Sequence, residues 1–167
     1  NYKKIINNTQ NVKIDTQNNV IFNLVAYGHE DTSKITNGEF KKILNRGFNS
    51  VPALLEKMHF DKNKPENHNV YISNMRADYG LIYDGEQWAI HNKEDLLDNM
   101  YEDKTVILLD QFEQQYDSLD EQTKKMFERF VKRHEQNEDK LKTIVKKELQ
   151  QILYNKRKIA LSTTYPN

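Results

Sequence analysis

Residues 64–100, KPENHNVYISNMRADYGLIYDGEQWAIHNKEDLLDNM, leave the backbone few choices. Residues 70–73 are short, rich in β-formers and preceded by Pro65, while residues 79–83 and 87–91 flank Asp84-Gly85. That dipeptide tolerates the positive φ values of a tight hairpin turn. Asn92 then stands where an N-cap belongs, ahead of a helix predicted over 93–102. Glu94 and Asp95 fall in its first turn, where the helix dipole favours negative charge, and Leu96, Leu97, Met100 and Tyr101 make its apolar side. The order strand, hairpin, capped helix reads as a wing beside a helical head.

Upstream, Thr36 and Glu39 form a T-x-x-E capping pair, in which hydroxyl and carboxylate satisfy amide protons left free by the first turn. Phe40, Ile43 and Leu44 share a face, and Gly47 suits the left-handed residue that stops a helix. Ser50 is a good N-cap for a second short helix, with Pro52 in its first turn and Leu54, Leu55 and Met58 as its buried stripe. Two such helices joined by a Gly-containing turn are a helix-turn-helix, or equally an αα-hairpin that only makes core. Residues 20–26, VIFNLVA, read as a strand leading into a Tyr27-Gly28 turn and are expected to pair with the wing strands. Residues 1–19 are polar and Asn-rich, the composition of a linker or a marginal strand.

Downstream, helical periodicity continues over 105–116 through Val106, Leu109, Phe112 and Tyr116. Ser118 and Glu121 repeat the capping signature, so another helix is expected from near Leu119 through Met126, Phe127, Phe130 and Val131. The pattern lapses around 136–139. It resumes as Leu141, Ile144, Val145, Leu149, Ile152 and Leu153, a stripe that needs a partner surface, and closes on Lys156-Arg157-Lys158. The expected fold is α+β: a helix-turn-helix-like head with a small antiparallel sheet, winged-helix-like in its sharper form, and a long C-terminal helical arm. The expected organisation is a linker over 1–19, a helix-helix-hairpin-helix domain over 20–117, and an arm over 118–167 packed on it.

At 167 residues the chain can bury one core. It carries 25 basic and 25 acidic residues, so net charge makes no case for a polyanion partner. The distribution is uneven. Residues 84–117 hold ten acidic and two basic residues, and residues 118–158 hold twelve basic and seven acidic. The two blocks should attract each other or different partners. There is no cysteine, which excludes disulfides and thiolate chemistry, and no apolar run approaches the ~20 residues of a membrane span. The first residue is Asn rather than Met, from which a fragment or processed product is expected.

The residues supply little for catalysis. His29, His59, His68, His91 and His134 are scattered, with no pair at helical ligand spacing, and suit surface or hydrogen-bonding roles. No Gly-rich phosphate loop and no nucleophile elbow occur. No catalytic residue, metal site or cofactor is assigned. A nucleic-acid surface has more content. Lys41, Lys42 and Arg46 on the first helix, Lys62 and Lys64 in the following loop, and Arg76 near the wing form a modest basic rim. Lys125, Arg129, Lys132 and Arg133 form a second basic set, diluted by Glu128 and Glu135, and Asp84 and Glu86 at the hairpin tip oppose insertion of a wing beside phosphates. The rival is a protein interface or self-association through Leu141, Ile144, Val145, Leu149 and Ile152. Tyr71, Tyr79, Tyr83 and Trp88 are either a base-stacking platform or the closure of a small sheet, with Trp88 expected against Tyr71 or Leu97.

The FKKILNRGF run at 40–48, Ser50-Val51-Pro52, KPENHNVYISNM, YDGEQW and KKELQQILYNKR together resemble a domain near the C-termini of uncharacterised proteins of giant nucleocytoplasmic DNA viruses. The resemblance covers roughly residues 22–154. Such proteins often carry an N-terminal zinc finger ahead of a coiled-coil or Asn-rich linker. The resemblance brings no activity with it. It implies a non-catalytic, nucleic-acid-associated accessory domain, working in the infected cell, its viral factory or the virion. The partners it admits are nucleic acid, a viral protein or a second copy, and not a membrane.

Overall fold

The computed structural model describes residues 24–136 and 138–164 in full, and the backbone of three strands within residues 3–23. Those strands, β1 (Lys3–Asn7), β2 (Gln10–Ile14) and β3 (Val20–Asn23), form an antiparallel sheet in the order β1-β2-β3. The rest is α+β, with six helices among the described residues and a second small antiparallel sheet.

That second sheet is the expected hairpin with one added strand: β4 (Val70–Tyr71), β5 (Tyr79–Tyr83) and β6 (Trp88–Asn92), in the order β4-β5-β6. Tyr83 pairs with Trp88 across the turn, Gly85 takes φ 106°, and Asp84 Oδ1 accepts from the N–H of Glu86 and of Gln87. Trp88 packs edge-on against Tyr71 at 5.0 Å and Tyr83 at 6.0 Å, so these aromatics close the sheet. β3 pairs with β2 and does not join the wing, contrary to expectation. Both edges of β5 are already occupied by β4 and β6. The following segment is tied on by single bonds, Val25 N–H to Glu66 O and Tyr27 N–H to Tyr83 O, each 2.8 Å.

Helices α1 (Asn37–Leu44) and α2 (Ser50–His59) follow the predicted stripes, with Thr36 Oγ1 accepting from Glu39 N–H and Gly47 at φ 57°. Ser50 departs from its predicted role. It lies inside α2, fully buried, and its hydroxyl donates to Ile43 O at 2.7 Å, tying α2 back to the end of α1. The cap of α4 (Glu121–Gln136) likewise comes from Asp120, whose Oδ1 accepts from Thr123 N–H, while Ser118 Oγ donates to Gln115 O.

α3 (Lys93–Gln115) is one helix whose Asn92 cap accepts from Asp95 N–H. Its buried face runs through Leu97, Met100, Tyr101, Lys104, Thr105, Leu108 and Phe112. Val106 and Tyr116, predicted on the core stripe, are exposed. The polar side chains of Lys104 and Thr105 occupy core positions there, while Phe112 of the predicted stripe is buried and Leu109 is half-buried against the core. α5 (Glu138–Asn155) and α6 (Arg157–Thr164) complete the chain, with Arg157 Nη1 donating to Tyr154 O at the end of α5.

Leu44, Leu54, Leu55, Leu97, Met100, Leu108, Phe127, Phe130, Leu149 and Ile72 are fully buried in one core, which therefore joins α1 to α5 and the residue after β4. Each such side chain stabilises the fold by about 1.5–3 kcal/mol. The two oppositely charged blocks meet on the surface of this core. Lys142 Nζ lies 2.7 Å from Glu102, and Lys146 Nζ lies 2.7 Å from both Glu94 and Asp98. The hydrogen bond from Lys146 and the two ammonium charges hold the Asp98 carboxyl below its usual range.

Candidate functional site

The titratable groups that converge most closely lie inside the protein. α2 ends with His59 inward, α3 carries Lys104 on its core face, and the loop after β3 folds Tyr27 and Glu30 over them. Lys104 Nζ is 2.8 Å from His59 Nε2, His59 Nδ1 is 2.8 Å from Asn69 Oδ1, and Asn69 Nδ2 donates to Glu30 Oε1 at 2.8 Å and to Val25 O at 3.0 Å. The carboxylate also accepts from Gly28 N–H. A lysine ammonium only donates, so His59 accepts at Nε2, carries its proton on Nδ1 and gives it to the Asn69 carbonyl oxygen. The result is a chain of donors running from ammonium to carboxylate through a neutral ring and an amide.

Electrostatics agree with a neutral ring. Desolvation, reinforced by the Lys104 charge, pushes the His59 pKa down to about 4. Burial also lowers that of Lys104. For Glu30, burial works against ionisation, while the Lys104 charge and the hydrogen bond from the Asn69 amide favour it, and the pKa falls below normal. The Tyr27 ring stacks on His59 at 5.5 Å with Lys104 Nζ 5.7 Å from its centre, and its buried hydroxyl has no hydrogen-bond partner among the described residues. His59 and Asn69 are completely buried and Lys104 is 3 % exposed. A set so enclosed cements α2, α3 and two loops.

A second polar pair is smaller. His68 Nε2 donates to Asp61 O at 2.7 Å, and its Nδ1 lies 2.6 Å from Thr163 Oγ1. This ties α6 to the loop before β4.

The basic residues divide by position. α2, the helix a helix-turn-helix would place in a groove, has seven of its ten residues buried. Lys57 is paired with Glu39 and Asp61, and Glu56 with Lys156. Lys62 and Arg76 are exposed in separate turns, and half-buried Lys64 donates to Lys34 O. Lys125, Arg129, Lys132 and Arg133 behave differently. All four are exposed on α4, at spacings that put them on one side, and none forms an ion pair with a described residue.

The turn after α1 abuts this face. A Cβ at Gly47 would stand 2.9 Å from Met126 O, and Thr123 Oγ1 donates to Asn45 Oδ1. Arg133 lies 5.9 Å from the ring centre of Phe48, a side chain 40 % exposed. Lys42 and Arg46, by contrast, line an open groove between α1, α2 and α5 together with Glu39, Glu56 and Glu148, and half-buried Lys41 lies near Asp120 at the start of α4.

The candidate protein interface is corrected. Leu141, Val145 and Leu149 are buried in the chain's own core, and Ile152 is half-buried against it. Their stripe found its partner in α2, α3 and α4. Ile144, 53 % exposed, is the member left outside.

Comparison with family models, curated proteins and solved structures found no match. The geometry of the molecule therefore carries the functional reading.

The sequence reading missed the buried relay. Its legible signal was Lys104, which falls between Met100 and Leu108 on the apolar side of α3, a position where an unpaired lysine is costly.

Proposed function

We propose that this chain is a non-catalytic, nucleic-acid-associated accessory domain of a giant-virus protein, working in the regulation or handling of viral DNA or RNA. The observation that supports it is the unpaired basic face of α4, Lys125, Arg129, Lys132 and Arg133, flanked by the exposed Phe48 ring. Free lysine and arginine side chains release counterions from a phosphate backbone, and an exposed aromatic beside arginine suits an unpaired base. Lys142 and Lys146 make the contrast, since α3 carboxylates already neutralise them.

The order α1, α2, hairpin is winged-helix-like. Because α2 is packed into the core, the proposed contact is through α4 and the turn at Phe48, with the acidic tip at Asp84 and Glu86 turned away from phosphate. The non-catalytic part of the reading draws support from the enclosure of the His59–Lys104 relay.

A gel-shift or filter-binding series with duplex and single-stranded DNA and RNA at two salt concentrations tests it. Retention should weaken steeply with salt and disappear in R129E/K132E/R133E, whose thermal melt stays cooperative. Binding that is absent at low salt, or unchanged in that variant, defeats the proposal.

A further inference from the structure

On the other flank of α4 an open groove runs between α3 and α4. Leu109, Phe112 and Val131 make its floor. Val106, 56 % exposed and nearly one turn before Leu109, continues the apolar strip along α3. The rim is acidic: Glu113 from α3, Asp117 from the turn after it, Glu128 and Glu135 from α4, with Lys132 at one edge. Tyr116 closes one end. Its hydroxyl donates to Glu128 at 3.2 Å, and Lys124 sits 4.5 Å over its ring while pairing with Glu121. Glu113, Asp117 and Glu135 form no ion pair with a described residue.

Charge and shape together select the occupant. A neutral apolar partner would strip water from the rim carboxylates without pairing them, which costs more than the apolar floor returns. An acidic partner is repelled. A helix with an apolar stripe flanked by lysine or arginine covers the floor and pairs the rim at once, and the furrow between two neighbouring helices is shaped to take the ridge of a third. We propose that this groove docks a basic amphipathic helix from another protein. The site stands on a different observation from the nucleic-acid reading: Lys125, Arg129 and Arg133 do not line the groove, and Lys132 at its edge is the residue the two share.

Fluorescence anisotropy of the full chain tests this with a dye-labelled peptide of about five helical turns, leucine on one face and lysine on the other. Saturable binding is expected, weakened at least about tenfold in E113Q/E128Q/E135Q. The three glutamates are exposed, so the variant should melt as the parent does. Leu109→Ala should weaken binding as well, whereas K125E/R129E should leave it intact. The proposal is overturned if a lysine–glycine peptide of equal charge binds as tightly, if a leucine–glutamate peptide does, or if the triple variant binds unchanged. It also fails if the protein forms a concentration-dependent dimer that the triple variant abolishes, since the groove is then filled by a second copy.

Discussion

Lys104 Nζ lies 2.8 Å from Nε2 of His59 at a point where both side chains are essentially removed from water. A protonated imidazole cannot accept that bond, so the pair is stable only with the ring neutral. Glu30, reached through Asn69, supplies the compensating negative charge.

The pH dependence of stability follows from this pair. Folded His59 stays unprotonated down to about pH 4, while the same ring in the unfolded chain takes a proton near 6.5. Between those values the unfolded chain holds more protons, so stability falls as pH drops through that window. His68, whose pKa burial also lowers, adds in the same direction. Urea unfolding near pH 7 and near pH 5, with the ring protons followed by NMR, should show the loss and a His59 ring that remains neutral at the lower pH. Equal stability at the two pH values contradicts the relay.

Removing one end of the relay should cost more than removing both. Lys104→Met leaves the Glu30 carboxylate buried without its counter-charge, and Glu30→Gln leaves the ammonium in the same position. Each should destabilise by about 3–5 kcal/mol. The double variant K104M/E30Q should be less damaged than the two losses added together. A denaturant double-mutant cycle measures the coupling, and strict additivity refutes it.

Ser50 separates two structural roles. As an N-cap it would accept aspartate with little change. Buried against the Ile43 and Leu44 carbonyls, with O···O distances of 2.7 and 3.4 Å, it is a donor. Ser50→Asp should therefore cost at least about 2 kcal/mol, because a carboxylate there meets acceptors and no water. A variant as stable as the parent returns Ser50 to the capping role.

Gly47 and Gly85 both take positive φ, but their surroundings differ. Alanine at Gly85 meets nothing closer than the Ala26 Cβ at 3.5 Å, so the cost is the left-handed backbone alone, about 1–2 kcal/mol. At Gly47 the added carbon also strikes Met126 O at 2.9 Å. Thermal melts should place Gly47→Ala clearly below Gly85→Ala, and the reverse order would mean that the turn does not press on α4.

Much of the local architecture was legible because it is written in short-range chemistry. Thr36 and Asn92 cap where their side chains predict, and Asp84-Gly85 turns the hairpin that Trp88 closes on Tyr71. The misreadings at Ser50 and Ser118 share one cause. Each hydroxyl donates to a carbonyl and does not accept from the first turn: Ser50, the first residue of α2, bonds Ile43 O, and Ser118 bonds Gln115 O while Asp120 caps α4. Along α3 the apolar pattern led to Val106 and Tyr116, because nothing in a linear stripe shows that a lysine can be the buried member.

The sites divide in the same way. Sequence spacing grouped Lys125, Arg129, Lys132 and Arg133, since positions three and four apart share a helix face whatever surrounds them. It could not bring Phe48 to that face, or show that α5 spends Leu141, Val145 and Leu149 on its own core.

What the chain order determined by itself is which segments become helices and hairpins, because caps, turns and periodicity act between residues a few positions apart. Only the tertiary structure decided which charges are neutralised and which stay free. His59 and Lys104 are 45 residues apart in sequence, and Lys146 and Glu94 are separated by 52, so packing alone sets their distances. Electrostatic energy depends on those distances and on exposure to water, and neither is encoded locally.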